Sequence, residues 1–209
     1  LPEQIKDYFG DGQEFGVNLR YYTEGTPLGT AGSVKNAEDF LDETFLVISG
    51  DALTDFNLEQ ILKFHQVRGG IGTLVLTREE TPLEYGVVIT DERDKIVRFL
   101  EKPGWSEVFS DTVNTGIYVL KPEIFRYFDK GVKFDFSKDL FPLLMEKGQE
   151  LYGCIANGYW CDIGNQEQYQ QAHRDFLDGK IKINLKEKEF EPGIWLGEGV
   201  VIEKGARVE

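Results

Sequence analysis

Three runs in this chain are apolar on both faces at strand length: Phe45-Leu46-Val47-Ile48, Thr73-Leu74-Val75-Leu76 and Gly116-Ile117-Tyr118-Val119-Leu120. A strand with one wet face alternates apolar and polar residues, whereas a strand apolar throughout has to be covered on both sides. The covers lie between the runs. Residues 33–41, 58–68, 122–128, 137–147 and 166–178 repeat apolar residues at three or four, with helix-start chemistry at Asn57, Pro122 and Ser137. This order predicts an α/β fold with a mainly parallel, Rossmann-like sheet flanked by helices. Residues 85–90 and 96–101 flank the polar Asp91-Glu92-Arg93-Asp94-Lys95 and predict a hairpin inserted in that pattern.

The texture changes after Asp178. Residues 180–191 are charged and irregular, Pro192-Gly193 interrupts them, and Leu196, Ile202 and Val208 then recur every six residues. That period predicts the opening coils of a β-helix, with Gly197 and Gly205 at corners. The expected organisation is a main domain over 1–179, a linker over 180–192 and the start of a hexapeptide-repeat β-helix over 193–209. So few coils cannot bury a core of their own, so the repeat is expected to dock on the main domain or to continue. At the other end, Leu1-Pro2-Glu3-Gln4-Ile5 enters a helix directly, and a preceding βα unit is expected outside the sequence.

Charge narrows the partners. Against 23 basic side chains stand 37 acidic ones, a net charge of −14, which argues against nucleic acid or an anionic membrane as the main partner. No apolar run reaches the roughly 20 residues of a membrane span, and the amino terminus does not read as a signal peptide, so a cytoplasmic location is expected. Cys154 and Cys161 are too few for a disulfide framework and read as reduced and structural. His65 and His173 stand apart in polar helical stretches and read as solvated helix faces.

Ser49-Gly50-Asp51 closes the most apolar strand, which sets the Asp51 carboxylate at the sheet's carboxyl edge, where open α/β folds bind ligands. Asp51 is therefore a candidate metal ligand, and equally a candidate helix cap. Asp162, in Tyr159-Trp160-Cys161-Asp162-Ile163-Gly164, ends another short apolar run. Two such aspartates suit Mg²⁺, which takes one or two carboxylates plus phosphate oxygens and water. Thr26-Pro27-Leu28-Gly29-Thr30-Ala31-Gly32 is either a helix-entry turn or a place where a nucleobase lies against exposed amides. Glu101-Lys102-Pro103 is either a surface turn or a pair in which Lys102 holds a phosphate and Glu101 accepts from sugar hydroxyls. Glu84-Tyr85-Gly86 and Asn114-Thr115-Gly116 put polar groups beside close backbone, as hydroxyl recognition requires.

Taken in order, Pro27 to Gly32, Ser49-Gly50-Asp51, Glu84-Tyr85-Gly86-Val87, Glu101-Lys102-Pro103, Asn114-Thr115-Gly116 and Trp160-Cys161-Asp162-Ile163-Gly164 resemble the nucleotidyltransferase family that makes nucleotide sugars. The resemblance covers essentially the whole chain and implies a left-handed β-helix after the catalytic domain. It implies that Asp51 and Asp162 bind Mg²⁺ and that Lys102 contacts the sugar phosphate. Tyr85, Gly86, Glu101, Asn114 and Thr115 would then serve the sugar, and Leu28, Gly29, Thr30 and Gly50 the nucleotide. The implied substrates are a nucleoside triphosphate and a sugar 1-phosphate. GTP and mannose 1-phosphate come first, because the 26–32 loop looks most like that branch, and glucose 1-phosphate with UTP or dTTP second. The family's glycine-rich opening, G-G-x-G-T-R-L-x-P-L-T, does not occur in these residues, so activity is expected of a longer parent. A homo-oligomer built through the β-helix is a further expectation. A non-catalytic relative that binds nucleotide sugar is the competing reading. A glycosyltransferase would carry Asp-x-Asp where this strand ends Gly50-Asp51-Ala52-Leu53.

Overall fold

The structure, a computed structural model, describes residues 2–101, 104, 110–182, 188–191 and 194–207. Its α-helices and strands run α1 (Pro2–Phe9), α2 (Gly29–Lys35), β1 (Phe45–Ile48), β2 (Ala52–Thr54), α3 (Leu58–Arg68), β3 (Gly72–Arg78), β4 (Gly86–Thr90), β5 (Ile96–Glu101), β6 (Thr112–Leu120), α4 (Phe141–Glu146), β7 (Leu151–Ile155), β8 (Trp160–Asp162), α5 (Gln166–Leu177), β9 (Lys188–Glu191) and β10 (Ile194–Leu196). Helices and strands mix as an α/β fold requires. No helix among the described residues is long and apolar enough to cross a membrane.

The central sheet has the order β5-β4-β6-β3-β7, with β1 also paired to β6. Its pairing corrects the expectation of a mainly parallel sheet. Among the described residues only β3 with β7 is parallel; β1, β3 and β4 all pair antiparallel with β6, and β4 with β5 forms the expected hairpin. Strands β1 and β3 still point the same way, joined by α3, but β6 lies between them in the opposite direction. Burial on both faces does not depend on strand direction, so apolar runs alone could not reveal this reversal.

The period of two divides the core. Leu74, Leu76, Tyr118 and Leu120 face one cluster with Phe136, Leu140, Phe141 and Leu144. Val75, Ile117 and Val119 face the other with Phe56 and Ile61. Helix α3 covers the second face. It starts where Asn57 Oδ1 accepts from the Gln60 amide at 3.0 Å, a cap of the predicted kind. His65, expected on a solvated face, is instead buried on the inner side of α3 with Ile61, one turn away. His173 is exposed as expected. The first face is covered by the 3₁₀ turn Pro122–Tyr127, a π-type turn at Phe136–Leu140 and α4. Asp135, not Ser137, caps that turn by accepting from the Ser137 and Lys138 amides.

Beyond α5 the hexapeptide solenoid is not what the described residues display. Strand β10 pairs antiparallel with β9, Leu196 opposite Lys188, as a two-stranded ribbon. Val208 lies outside the described residues. The start of the expected linker packs on the domain, with Ile181 buried.

Candidate active site

A bulge in β6 shapes the site. Leu74 of β3 pairs with Tyr118 and Leu76 with Asn114, so two steps along β3 match four along β6. The excess is absorbed at Gly116, whose φ of 76° only glycine adopts readily. The Thr115 hydroxyl donates to the Val75 carbonyl at 2.8 Å, meeting an acceptor that the broken ladder leaves over. The bulge opens the sheet toward a cleft of about 240 Å³.

Three structural units wall that cleft. The sheet supplies Gly86, Glu101, Asn114 and Thr115; the ribbon of β2 with β8 and the turn before it supply Asp51, Ala52, Trp160 and Asp162; and Tyr85 and Ser137 close the sides. Gly86 pairs with Glu101 across the hairpin, and a Cβ at Gly86 would lie 2.9 Å from Glu101 Oε2. The carboxylate therefore occupies the space that a side chain would fill. Asn114 Nδ2 donates to Tyr118 Oη at 2.9 Å and to Ser137 Oγ at 3.2 Å, so this amide joins β6 to the π-type turn. Burial pushes the Tyr118 hydroxyl up to about 12 against the opposing Asn114 and Ser137 bonds, so it stays neutral as the acceptor of that bond.

The ribbon pairs Ala52 with Asp162, Leu53 with Cys161 and Thr54 with Trp160. The Ile163 amide closes its cleft end on the Asp51 carbonyl at 2.9 Å. The Ser49 hydroxyl donates to Asp51 Oδ1, which orients an exposed carboxylate. Trp160 Nε1 donates to the Thr115 carbonyl at 3.0 Å, fastening the ribbon to the bulge, and its ring meets Tyr85 edge-on at 5.3 Å. Burial raises the Tyr85 hydroxyl above its usual range, and the Glu79, Asp162 and Glu84 carboxylates and Cys161 add to the effect.

Four carboxylates, from Asp51, Glu84, Glu101 and Asp162, line the cleft, and no Lys or Arg does among the described residues. Nor, among those residues, could any group of three or more His, Cys, Asp or Glu hold a metal ion. Two aspartates with open cleft before them suit a hard cation that completes its shell with water and ligand oxygens, as Mg²⁺ does.

Most of the sequence-predicted residues thus converge: Asp51, Tyr85, Gly86, Glu101, Asn114, Thr115 and Asp162 share one cleft. Leu28, Gly29 and Thr30 do not line it. Their groups are used internally: the Leu28 carbonyl accepts from the Phe134 amide at 2.8 Å, and Thr30 Oγ1 donates to Asp135 at 2.8 Å and accepts from the Phe136 amide at 2.9 Å. Gly50 sits exposed in the turn before β2. Lys102 and Pro103 lie outside the described residues. Glu84, singled out with Tyr85 and Gly86, lines the cleft too, whereas sequence reasoning missed Ser137 and Trp160 as cleft residues. Trp160 stood beside Asp162 on a predicted apolar run and could have been found by its register; Ser137 offered no signal beyond a helix start.

A mixed sheet flanked by helices, with a carboxylate-lined cleft beside its strand ends, places the chain in the class of α/β domains. The nucleotidyl transferase family profile matches residues 1–179, and the chain belongs to that family. It is 39% identical over 212 residues to a UTP–glucose-1-phosphate uridylyltransferase of Synechocystis sp., covering 94% of this chain and 55% of that protein. It is 35% identical over 207 residues to a mannose-1-phosphate guanyltransferase of Kluyveromyces lactis, covering 96% of this chain and 54% of that protein. The chain spans about half the length of these curated relatives. In fold it resembles a Bacillus anthracis protein assigned as a glucose-1-phosphate thymidylyltransferase and crystallised with sucrose. The TM-score is 0.74 at 23% identity, over 88% of this chain and 73% of that one.

Proposed function

We propose that this chain forms the greater part of a sugar-1-phosphate nucleotidyltransferase, which makes a nucleotide sugar and pyrophosphate from a nucleoside triphosphate and a sugar 1-phosphate. One observation carries the reading: the carboxylates of Asp51, just before β2, and Asp162, at the end of β8, share a cleft with Glu101, Asn114, Tyr85 and Gly86. The first pair suits a cation and the second group suits hydroxyls.

An oxygen of the sugar 1-phosphate attacks the α-phosphorus; the new O–P bond forms as the bond to the β-phosphate oxygen breaks, and pyrophosphate carries away the electron pair. No general base is needed, because a phosphate monoester with a second pKa of ~6 is largely ionised at neutral pH. A cleft lined by four carboxylates repels phosphates, so the anions enter with a counter-cation. Asp51 and Asp162 would hold Mg²⁺, which when bound neutralises charge on the phosphates. Glu101 and Tyr85 orient the sugar, and Lys102 is assigned to its phosphate on the family resemblance alone. Catalysis is then positioning plus charge compensation.

GTP with mannose 1-phosphate is the first substrate pair, on the resemblance of the 26–32 loop. Glucose 1-phosphate with UTP is the second, favoured by the 39% identical uridylyltransferase. The test measures pyrophosphate release by the full-length protein that contains this chain, with Mg²⁺, for GTP, UTP and dTTP against both sugar phosphates. Release with one pair names the substrates. Silence with every pair from folded protein sinks the enzymatic reading in favour of a nucleotide-sugar-binding regulator.

A further inference from the structure

We propose that Asp55 is a positioning residue that locks the register of the β2–β8 ribbon, and with it the placement of Asp51 and Asp162, and that it ties this ribbon to the chain leaving α5. The inference rests on the reading of those two aspartates as a cation site.

The ribbon has three residue pairs, and a two-stranded unit of that length is marginal by itself. A slip of one residue would turn Asp162 to the opposite face. At the end away from the cleft, Asp55 opposes such a slip with one carboxylate oxygen and holds the chain leaving α5 with the other. Oδ1 accepts from the Tyr159 amide at 2.6 Å, and Oδ2 accepts from the Lys182 amide at 2.9 Å. The Asp55 amide donates back to the Tyr159 carbonyl at 3.2 Å, which also receives the Thr54 hydroxyl at 2.8 Å. Bonds to an ionised acceptor are the stronger kind. Gly158 is shaped for this contact, since a Cβ there would lie 2.4 Å from Asp55 Oδ1. Lys182 follows the buried Ile181, so the segment that Oδ2 holds is itself anchored. Movement of the chain after α5 therefore reaches the ribbon through the Asp55 carboxylate, beside a second tie in which the Tyr159 hydroxyl donates to Asp175 of α5 at 2.9 Å.

Asp55→Asn keeps one acceptor and turns an N–H toward the other donor. Gly158→Ala attacks the same contact from the opposite side. Asn57→Ala removes the α3 cap two residues away and leaves the ribbon bonds alone, so it serves as the control for simple destabilisation. Each variant of the full chain is read by hydrogen exchange at the Ile163 amide, at the far end of the ribbon, and by Mn²⁺ binding, using the metal alone and the spin-resonance signal of the free ion. Asp55→Asn and Gly158→Ala should each speed Ile163 exchange at least tenfold and weaken Mn²⁺ binding at least fivefold, while Asn57→Ala moves neither. Unchanged exchange in both ribbon variants would overturn the lock. Faster exchange with native Mn²⁺ affinity would overturn the link to the carboxylates. If the native chain takes up no Mn²⁺, the cation reading fails instead, and the lock stands or falls on the Ile163 amide.

Discussion

The two sides of the cleft are built differently. Gly86, Glu101, Asn114 and Thr115 come from the central sheet, whose strands β3 and β6 are buried nearly throughout. Asp162 comes from a ribbon of three pairs whose residues are half-exposed, and Asp51 from the exposed turn that leads into it. On the proposed reading, the groups that would match a fixed pattern of hydroxyls sit on the rigid element, and those that would hold a cation, which tolerates small changes in ligand geometry, sit on the lighter one. Mutations in the sheet should therefore act mainly on stability and shape, and mutations in the ribbon mainly on turnover.

The strongest challenge to this contrast lies under the sheet. Phe141 is fully buried, with its ring 5.0 Å from Tyr118, 5.7 Å from Phe136 and 6.0 Å from Phe99. Phe141→Ala should cost about 3–5 kcal/mol in denaturant unfolding. A loss below about 1 kcal/mol would mean that the sheet is not the rigid side. On the ribbon side, Asp51→Asn keeps an oxygen for the Ser49 hydroxyl, so stability should barely change, whereas turnover of the full-length enzyme should fall roughly 10²–10³-fold. Equal losses of stability and turnover would erase the distinction.

Much of this was legible in the residues, and the gaps have physical causes. The runs at 45–48, 73–76 and 116–120 became β1, β3 and β6 because apolar runs of strand length need cover on both faces, and Asn57 capped α3 because its oxygen reaches the third amide onward. The convergence of Asp51 with Asp162, and of Gly86 with Glu101, followed from their places at strand ends. The direction of β6 was hidden, since covered strands look alike either way. The fate of Leu28 to Thr30 depends on residues 134–136, more than a hundred positions on, which no local pattern announces. His65 was readable: it stands four residues after Ile61, on the same helix face, and the polar neighbours hid it.

Gly86 tests the sheet side at finer scale. Gly86→Ala puts a methyl 2.9 Å from Glu101 Oε2 and 3.0 Å from Phe99 Cζ. The carboxylate must shift, so kcat/KM for the sugar phosphate should fall roughly tenfold, with about 1 kcal/mol lost from folding. Unaltered kcat/KM would remove Glu101 from sugar recognition and leave Asn114 and Tyr85 to carry it.

The smallest effect belongs to a histidine packed against the sheet. His65 is buried between α3 and β3, its Nδ1 2.9 Å from Thr73 Oγ1 and its Nε2 without a partner among the described residues. Burial lowers its pKa below 6.5, and the Lys121 ammonium lowers it further. The unfolded chain therefore binds a proton more readily than the folded one between the lowered pKa and 6.5, so stability rises with pH across that window. It is fully present above 6.5, declines as pH falls through 6.5, and levels off below the folded value. Urea midpoints taken from pH 7.5 down to pH 5 should show this decline, and His65→Gln, which cannot take up the proton, should flatten it. An equal slope in the variant would place the titrating group elsewhere. A flattened slope would give the sheet a pH dependence of its own, separable from any effect of pH on the ribbon carboxylates.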